Sequence, residues 1–164
     1  MQAHGWLSEA DFTRAVEALP LVSVDWVVLN PAGQMLLGLR RRTPARDWWF
    51  TPGGRVRKNE ALPDALARVG RDELGLPEDL VAGARLLGAW DHFYPDSGYS
   101  DVVSTHYVNL PHLVRLDHSP DPDTLPTDQH RQWRWQDAAE AAVADDVHPY
   151  ARVSAQIVAD LQPG

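Results

Sequence analysis

The chain of 164 residues contains no cysteine, which excludes disulfides and thiolate metal sites. It has no apolar run near the roughly 18 residues that a membrane span needs, and no basic-then-apolar leader at its N-terminus. A cytoplasmic protein without a membrane partner is therefore expected. Basic residues are in the minority: 15 Lys and Arg stand against 23 Asp and Glu, for a net charge of -8. That balance argues against nucleic acid or an anionic surface as a partner, so a polyanionic ligand would need a local basic patch or a bridging metal. What is present is ordinary globular composition, 44% hydrophobic, and the length suits one domain over 1–164 with a sizeable core.

Ser8 with Asp11 three residues later is a capping signature and predicts a short helix over 8–18. "LVSVDWVVL" (21–29) reads as an apolar strand carrying one acid, Asp25. "NPAG" (30–33) is a tight turn and "QMLLGLR" (34–40) its returning strand. "RRTPARDWWFTPGG" reads as a loop dense in arginine and tryptophan. A helix from Leu62 to Leu74 stops at Gly75, the residue type favoured just past a C-terminus. "ARLLGAWDHFY" and "DVVSTHYVNL" are strand candidates joined by "PDSGYS", and "LPHLVRL" extends the sheet. "DHSPDPDTLPTDQH" is a polar loop, "QWRWQ" a short strand, and 147–161 a closing helix. Strands flanked by a few helices imply an α/β fold, a mixed sheet sandwiched between helices.

The helix after "PGGRVRKNE" raises a chemical question. Leu62, Leu66 and Val69 recur at helical spacing on its apolar face, and the next residue on that stripe is Glu73. An inward carboxylate requires a positive partner. Arg55 or Arg57 could hold it and tie loop to helix; a metal ion could do the same for a different purpose. Asp72 beside it stands four residues after Arg68, the spacing of a surface ion pair.

Gly54, Glu60, Arg68, Glu73, Gly75 and Leu76 stand at the spacings of the Nudix box, and the segment resembles that signature of the Nudix hydrolases. Such a segment binds a divalent cation against a nucleoside diphosphate; glycines allow close backbone approach to phosphates and the carboxylate offers hard oxygen. The usual box carries three acids where this chain has "RVGRDE": Val69 replaces the first and Asp72 the second. Gly70 sits mid-helix, where glycine costs about 1 kcal/mol relative to alanine. This depleted box, with "LLGLR", "WWFTPGGRV", "HFYPD", "STHYV" and "PTDQHRQWRW", is similar to the family's GDP-mannose mannosyl hydrolase branch over nearly the whole chain, most weakly at the two ends.

The resemblance implies a Nudix fold and hydrolysis of GDP-mannose, or another GDP-hexose, to GDP and free sugar by water attack at the anomeric carbon with inversion. It implies one Mg²⁺ per subunit, with Mn²⁺ as a substitute, held by Glu73, the Gly53 carbonyl and the Gln129 amide. It makes His130, in a loop beside Gln129, the general base titrating near neutrality. Arg40 and Arg55, helped by Tyr107, would neutralise the departing diphosphate, and Asp25 and His92 would lie near the sugar. A homodimer is implied as well. From the residues alone, Asp25 could instead bond backbone groups or Arg40, and Tyr107 and His92 could be core residues. His106 should face away from the site. Trp48, Trp49, Trp90, Trp133 and Trp135 read first as packing, with guanine stacking as the alternative. Two rival readings stand beside this one: a Nudix pyrophosphohydrolase cutting the P–O–P bridge, and a non-catalytic nucleotide-sugar sensor.

Overall fold

The computed structural model describes residues 6–162. Helix α1 (Glu9–Ala18) starts where the cap predicts: the Ser8 hydroxyl accepts from the Asp11 amide at 3.1 Å and donates to its carboxylate at 2.8 Å. Strands β1 (Leu21–Leu29) and β2 (Gln34–Arg40) follow, joined by a turn in which Asn30 Oδ1 accepts from Gln34 N and Gly33 takes φ +78°. The segment read as a loop holds two short strands, β3 (Trp49–Phe50) and β4 (Gly53–Arg55). Helix α2 (Leu62–Leu74) ends at Gly75 in the left-handed conformation. Then come β5 (Arg85–Leu86), β6 (Trp90–Tyr94), β7 (Thr105–Arg115), β8 (His130–Asp137), a short α3 (Ala138–Ala141) and α4 (Pro149–Leu161).

The sheet is mixed. β1 runs parallel to β7 from Leu21↔Tyr107 to Leu29↔Arg115, while its other edge is divided between β4, opposite Ser23–Asp25, and β2. β8 and β3 flank β2. β7 is one strand, not two, and "ARLLGAWDHFY" is two strands, not one. Both β5 and β6 pair antiparallel with β7, but Leu86 faces His112 and Trp90 faces Asn109. Three residues therefore oppose two at Leu110–Pro111, a bulge at the one position of β7 with no N–H to donate.

β1 is buried on both sides and sorts its side chains by the two-residue period of a strand. Val24, Trp26 and Val28 pack with Leu66, Val69 and Leu74 of α2; Val27 and Leu29 pack with Ala151, Ala155 and Val158 of α4. Each such apolar side chain withdrawn from water contributes about 1.5–3 kcal/mol. Trp26 also accounts for Gly70. Its indole N–H donates to the Leu66 carbonyl at 3.0 Å, and a Cβ on Gly70 would lie 3.0 Å from that nitrogen. Among the described residues no helix is long and apolar enough to cross a membrane.

Candidate active site

The two acids that anchor the glycine-rich segment go separate ways. Glu60 takes Arg68, with Nε at 2.6 Å and Nη2 at 2.8 Å, and accepts from the Arg57 amide at 2.8 Å. Arg68 also donates to the Arg55 carbonyl at 2.9 Å. This clamp ties loop to helix, so that task does not fall to Glu73. Asp72 pairs with Arg71 at the surface, 3.1 Å, rather than with Arg68. Arg55 lies with its guanidinium over the Phe12 ring and Arg57 over Trp6, at 5.5 and 5.2 Å.

Glu73 keeps its inward course one turn beyond Val69, with a side chain only 12% exposed. Its Oε2 accepts from the Gly53 amide at 3.2 Å. Burial, opposed by the charge of Arg40 and reinforced by Asp25, pushes its carboxyl up to about 8. Gly53 owes this contact to its place in β4. Trp26 N donates to Pro52 O and Val56 N to Val22 O, so the Asp25–Gly53 pair is a non-hydrogen-bonded one in which side chains approach closely. The Gly53 N–H and C=O therefore point away from β1, and a Cβ there would run into the Asp25 carboxylate.

His130 departs from expectation in two respects. It is the first residue of β8, not a loop residue, and it is completely buried. Its ring packs over Gly38, where any Cβ would collide with it, and lies 4.5 Å from the Trp133 ring. Neither ring nitrogen has a hydrogen-bond partner, and Nδ1 stands 3.8 Å from Glu73 Oε2. Burial, with Arg40 nearby, drives its pKa down to about 3. Both influences oppose protonation of the ring.

A polar recess opens on the α4 side of Gly53, lined by Asp25, Arg40, Arg55, His92, Tyr94, Tyr107 and Asn109. Asp25 accepts from the Thr51 hydroxyl at 2.6 Å and from the Asn109 amide at 2.8 Å, and Asn109 also donates to Ser23 at 2.9 Å. Burial outweighs these bonds and raises Asp25 to about 6. Its partners are side chains, not the backbone groups or Arg40 that the sequence offered; Arg40 donates to the Pro44 carbonyl. His92 stacks on Tyr150 with centroids 4.1 Å apart, and burial brings it down to about 4. Burial likewise raises Tyr107 above the usual phenol range. His106 faces away and meets Asp91 at 2.8 Å.

A larger cleft shares Arg40, Gly53, Gly54, Arg55 and Tyr107 with the recess and is lined as well by Glu73, Gln129, Trp6, Phe12 and Tyr99. Every candidate residue except His130 lines one space or the other; His130 lies behind Glu73. Sequence reasoning missed Asn109, Thr51, Tyr94 and Tyr150. Strand alternation places Asn109 on the same face as Tyr107, so that one was findable; the others carry no local signal. The five tryptophans named from sequence line neither space, and Trp133 and Trp135 spend their indole N–H groups on the Pro126 and Pro120 carbonyls.

Among the described residues no group of three or more His, Cys, Asp or Glu side chains converges. Magnesium does not need one: it is held by one or two carboxylates and completes its octahedron with waters and phosphate oxygens. A single desolvated carboxylate, a free Gly53 carbonyl and a neighbouring glutamine amide fit that donor set.

These features lie on an α/β sandwich of the kind shared by a large class of hydrolases. A NUDIX domain model matches residues 19–157, and the chain belongs to the Nudix family, hydrolases that generally use divalent metal ions. It is 42% identical over 127 residues, 77% of its own length and 76% of the relative's, to the low-salt glycan biosynthesis protein Agl8 of Haloferax volcanii. Among solved structures it resembles a MutT NUDIX hydrolase from Burkholderia pseudomallei, with TM-score 0.65, 24% identity, and 85% and 98% of the two chains covered. It also resembles a bifunctional NMN adenylyltransferase/ADP ribose pyrophosphatase from Francisella tularensis complexed with AMP and a manganese ion, with TM-score 0.63, 19% identity, and 93% and 45% covered. These two likenesses establish the fold alone.

Proposed function

We propose that this chain hydrolyses a GDP-hexose, foremost GDP-mannose, to GDP and free sugar by attack of water at the anomeric carbon with inversion. The observation that carries the reading is the arrangement around Gly53: one buried carboxylate, Glu73, on one side, and on the other a hydrogen-bonded recess built on Asp25. Attack at phosphorus profits from several acids, yet the box position one turn before Glu73 is Val69, 2% exposed in the core. The likeness to a glycan biosynthesis protein supports a nucleotide sugar.

Glu73, Gln129 and the Gly53 carbonyl would hold Mg²⁺, which when bound neutralises charge on a leaving diphosphate. Arg40 and Arg55 face the same stretch of cleft and do the same work from the protein side, and the Tyr107 hydroxyl donates there. A diphosphate departs as a stable anion, so no protonated acid is required, unlike most glycoside hydrolysis. His130, uncharged and set behind Glu73, is kept as the proton acceptor on the strength of the resemblance. Asp25 and His92 lie where a hexose would be read. A single domain, working as a homodimer in the cytoplasm, completes the proposal on the strength of the resemblance.

Incubation with GDP-mannose and the metal in ¹⁸O-water tests it. GDP, with label in the sugar and the β anomer appearing first by proton NMR, is the expected result. GMP and mannose 1-phosphate with label in phosphate would transfer the site to ordinary pyrophosphohydrolysis, a reading that Asp72 and Asp128 favour by lining the same cleft. Binding without turnover would mark a sensor.

A further inference from the structure

We infer that Asn109 is a positioning residue: its side-chain amide, braced against Ser23, fixes the Asp25 carboxylate in the direction in which the recess presents it to the sugar. The inference rests on the proposal that a nucleotide sugar occupies the recess, not on which bond is cut.

The face of the sheet that carries these residues changes character along its length. On β1, Val27 and Leu29 pack in the apolar cluster with α4, and Leu113 of β7 joins them. The same two-residue alternation, followed toward the start of each strand, brings Ser23 and Asp25 on β1 and Asn109 and Tyr107 on β7. This polar half lines the recess and the apolar half does not. Ser23, Asp25, Asn109 and the neighbouring Thr51 are all buried. Buried polar groups cost free energy that apolar side chains of similar volume would not, and asparagine is a poor strand former. Packing alone therefore gives no reason for an asparagine here.

The hydrogen bonds supply one. An ionised carboxylate only accepts, so the Asn109 amide must turn its nitrogen toward Asp25. Its two N–H groups go to Asp25 Oδ1 at 2.8 Å and to Ser23 Oγ at 2.9 Å. Ser23 is the direct partner of Asn109 in the β1–β7 register. The amide cannot rotate without breaking two buried bonds. From the other side, the Thr51 hydroxyl donates to Asp25 Oδ2 at 2.6 Å. One donor at each oxygen, from two different segments, fixes the plane of the carboxylate.

Both donors are neutral, and that matters for the ligand. Arg40, the cation whose charge acts on Asp25, gives an N–H to the Pro44 carbonyl at 3.3 Å instead. A guanidinium would take both carboxylate oxygens at once. An amide and a hydroxyl take one lone pair each and leave the others to accept from sugar hydroxyls. Asn109 has no N–H left for the ligand, so its effect passes through Asp25.

A double-mutant cycle of Asn109→Leu, Asp25→Ala and the combined variant tests this, read as kcat/KM on GDP-mannose with Mg²⁺ beside calorimetric affinity for GDP. Asn109→Leu should lower kcat/KM by about 10- to 100-fold, the effect of losing a hydrogen bond to a charged group. Adding it to Asp25→Ala should cost no more than about threefold further, because nothing is left to position. GDP has no sugar and should bind Asn109→Leu within about twofold of wild type. Independent losses that multiply in the combined variant would overturn the inference. So would a loss of GDP affinity as large as the loss in kcat/KM, because Asn109 would then be only a strut between β1 and β7. If the leucine variant does not fold, Asn109→Ala is read against the same outcomes. Release of GMP by the wild type would defeat the proposed reaction and not this inference, since the coupling of positions 25 and 109 is then read on that turnover. Without any turnover it is read on GDP-mannose affinity.

Discussion

Glu60 and Glu73 belong to one loop–helix segment, both are largely withdrawn from water, and their environments push them in opposite directions. Glu60 has a bidentate guanidinium and a backbone amide, and Arg68 holds its carboxyl below the ordinary value. Glu73 has one amide at 3.2 Å, no ion pair with an arginine, and a carboxyl raised to about 8 by burial. The difference shows how a fold separates a structural acid from a functional one. Where the counter-charge is supplied by the protein the group is spent on stability; where it is withheld the group remains available to a cation that arrives with the substrate.

The most damaging way to break the contrast is to neutralise the unpaired member. Glu73→Gln should lower turnover by on the order of 10³-fold or more, because an amide is a poor ligand for a hard cation. The melting temperature should hold or rise, since a buried carboxyl without a counter-ion is removed. Activity within about tenfold of wild type at sub-saturating Mg²⁺ would take the metal role from Glu73.

Next in size is the neighbour of Glu73. His130→Gln should reduce kcat by about 10²-fold or more through loss of the proton acceptor. Because the wild-type ring stays neutral down to about pH 3, any inflection of rate near pH 7 should survive in this variant. Its disappearance would show that the ring titrates there after all.

The proton on Glu73 gives a third measurement. A carboxyl that stays protonated up to about pH 8 in the metal-free protein must lose that proton when a cation binds. Apparent Mg²⁺ affinity should therefore rise with pH by up to tenfold per unit below that value and then level off, with proton uptake by the solvent measurable in weak buffer. Affinity independent of pH between about 6 and 8 would mean that Glu73 is already ionised.

Smallest is the effect at the paired member. Glu60→Gln should cost about 1–3 kcal/mol of unfolding free energy, because Arg68 loses its charged partner while largely buried. The folded-state pKa of Glu60 is depressed, so its stabilisation is present above its unfolded pKa and is lost as pH falls through the lower, folded value. Wild type should lose stability in acid more steeply than the variant in urea titrations. Parallel curves would remove the clamp from the account.

Much of the framework was legible in the residues. The apolar run of β1, the helical stripe of α2, the Ser8 cap, the Asn30–Gly33 turn and the stop at Gly75 are consequences of local pattern and backbone sterics, which act within a few residues. The inward aim of Glu73 belongs to the same class, since the helical repeat alone determines it. Helix α3 and the short strands β3 and β4 were not legible, because two- to four-residue elements exist only through the partners they meet.

Tertiary structure decided the rest, and charge pairing shows why. The sequence offers Arg55 or Arg57 to Glu73 and Arg68 to Asp72; packing gives Arg68 to Glu60 and lays the other two over Phe12 and Trp6. Asp25 meets Asn109, 84 positions away, because β1 and β7 run parallel in one register. His130 is buried because Gly38 on the adjoining strand leaves room for its ring. Spacing within an element is set by the geometry of the chain itself, whereas desolvation and partner choice depend on which distant surfaces close over a group. The identity of the acid at position 73 was therefore written in the sequence, and its unpaired, proton-holding state was written by the fold.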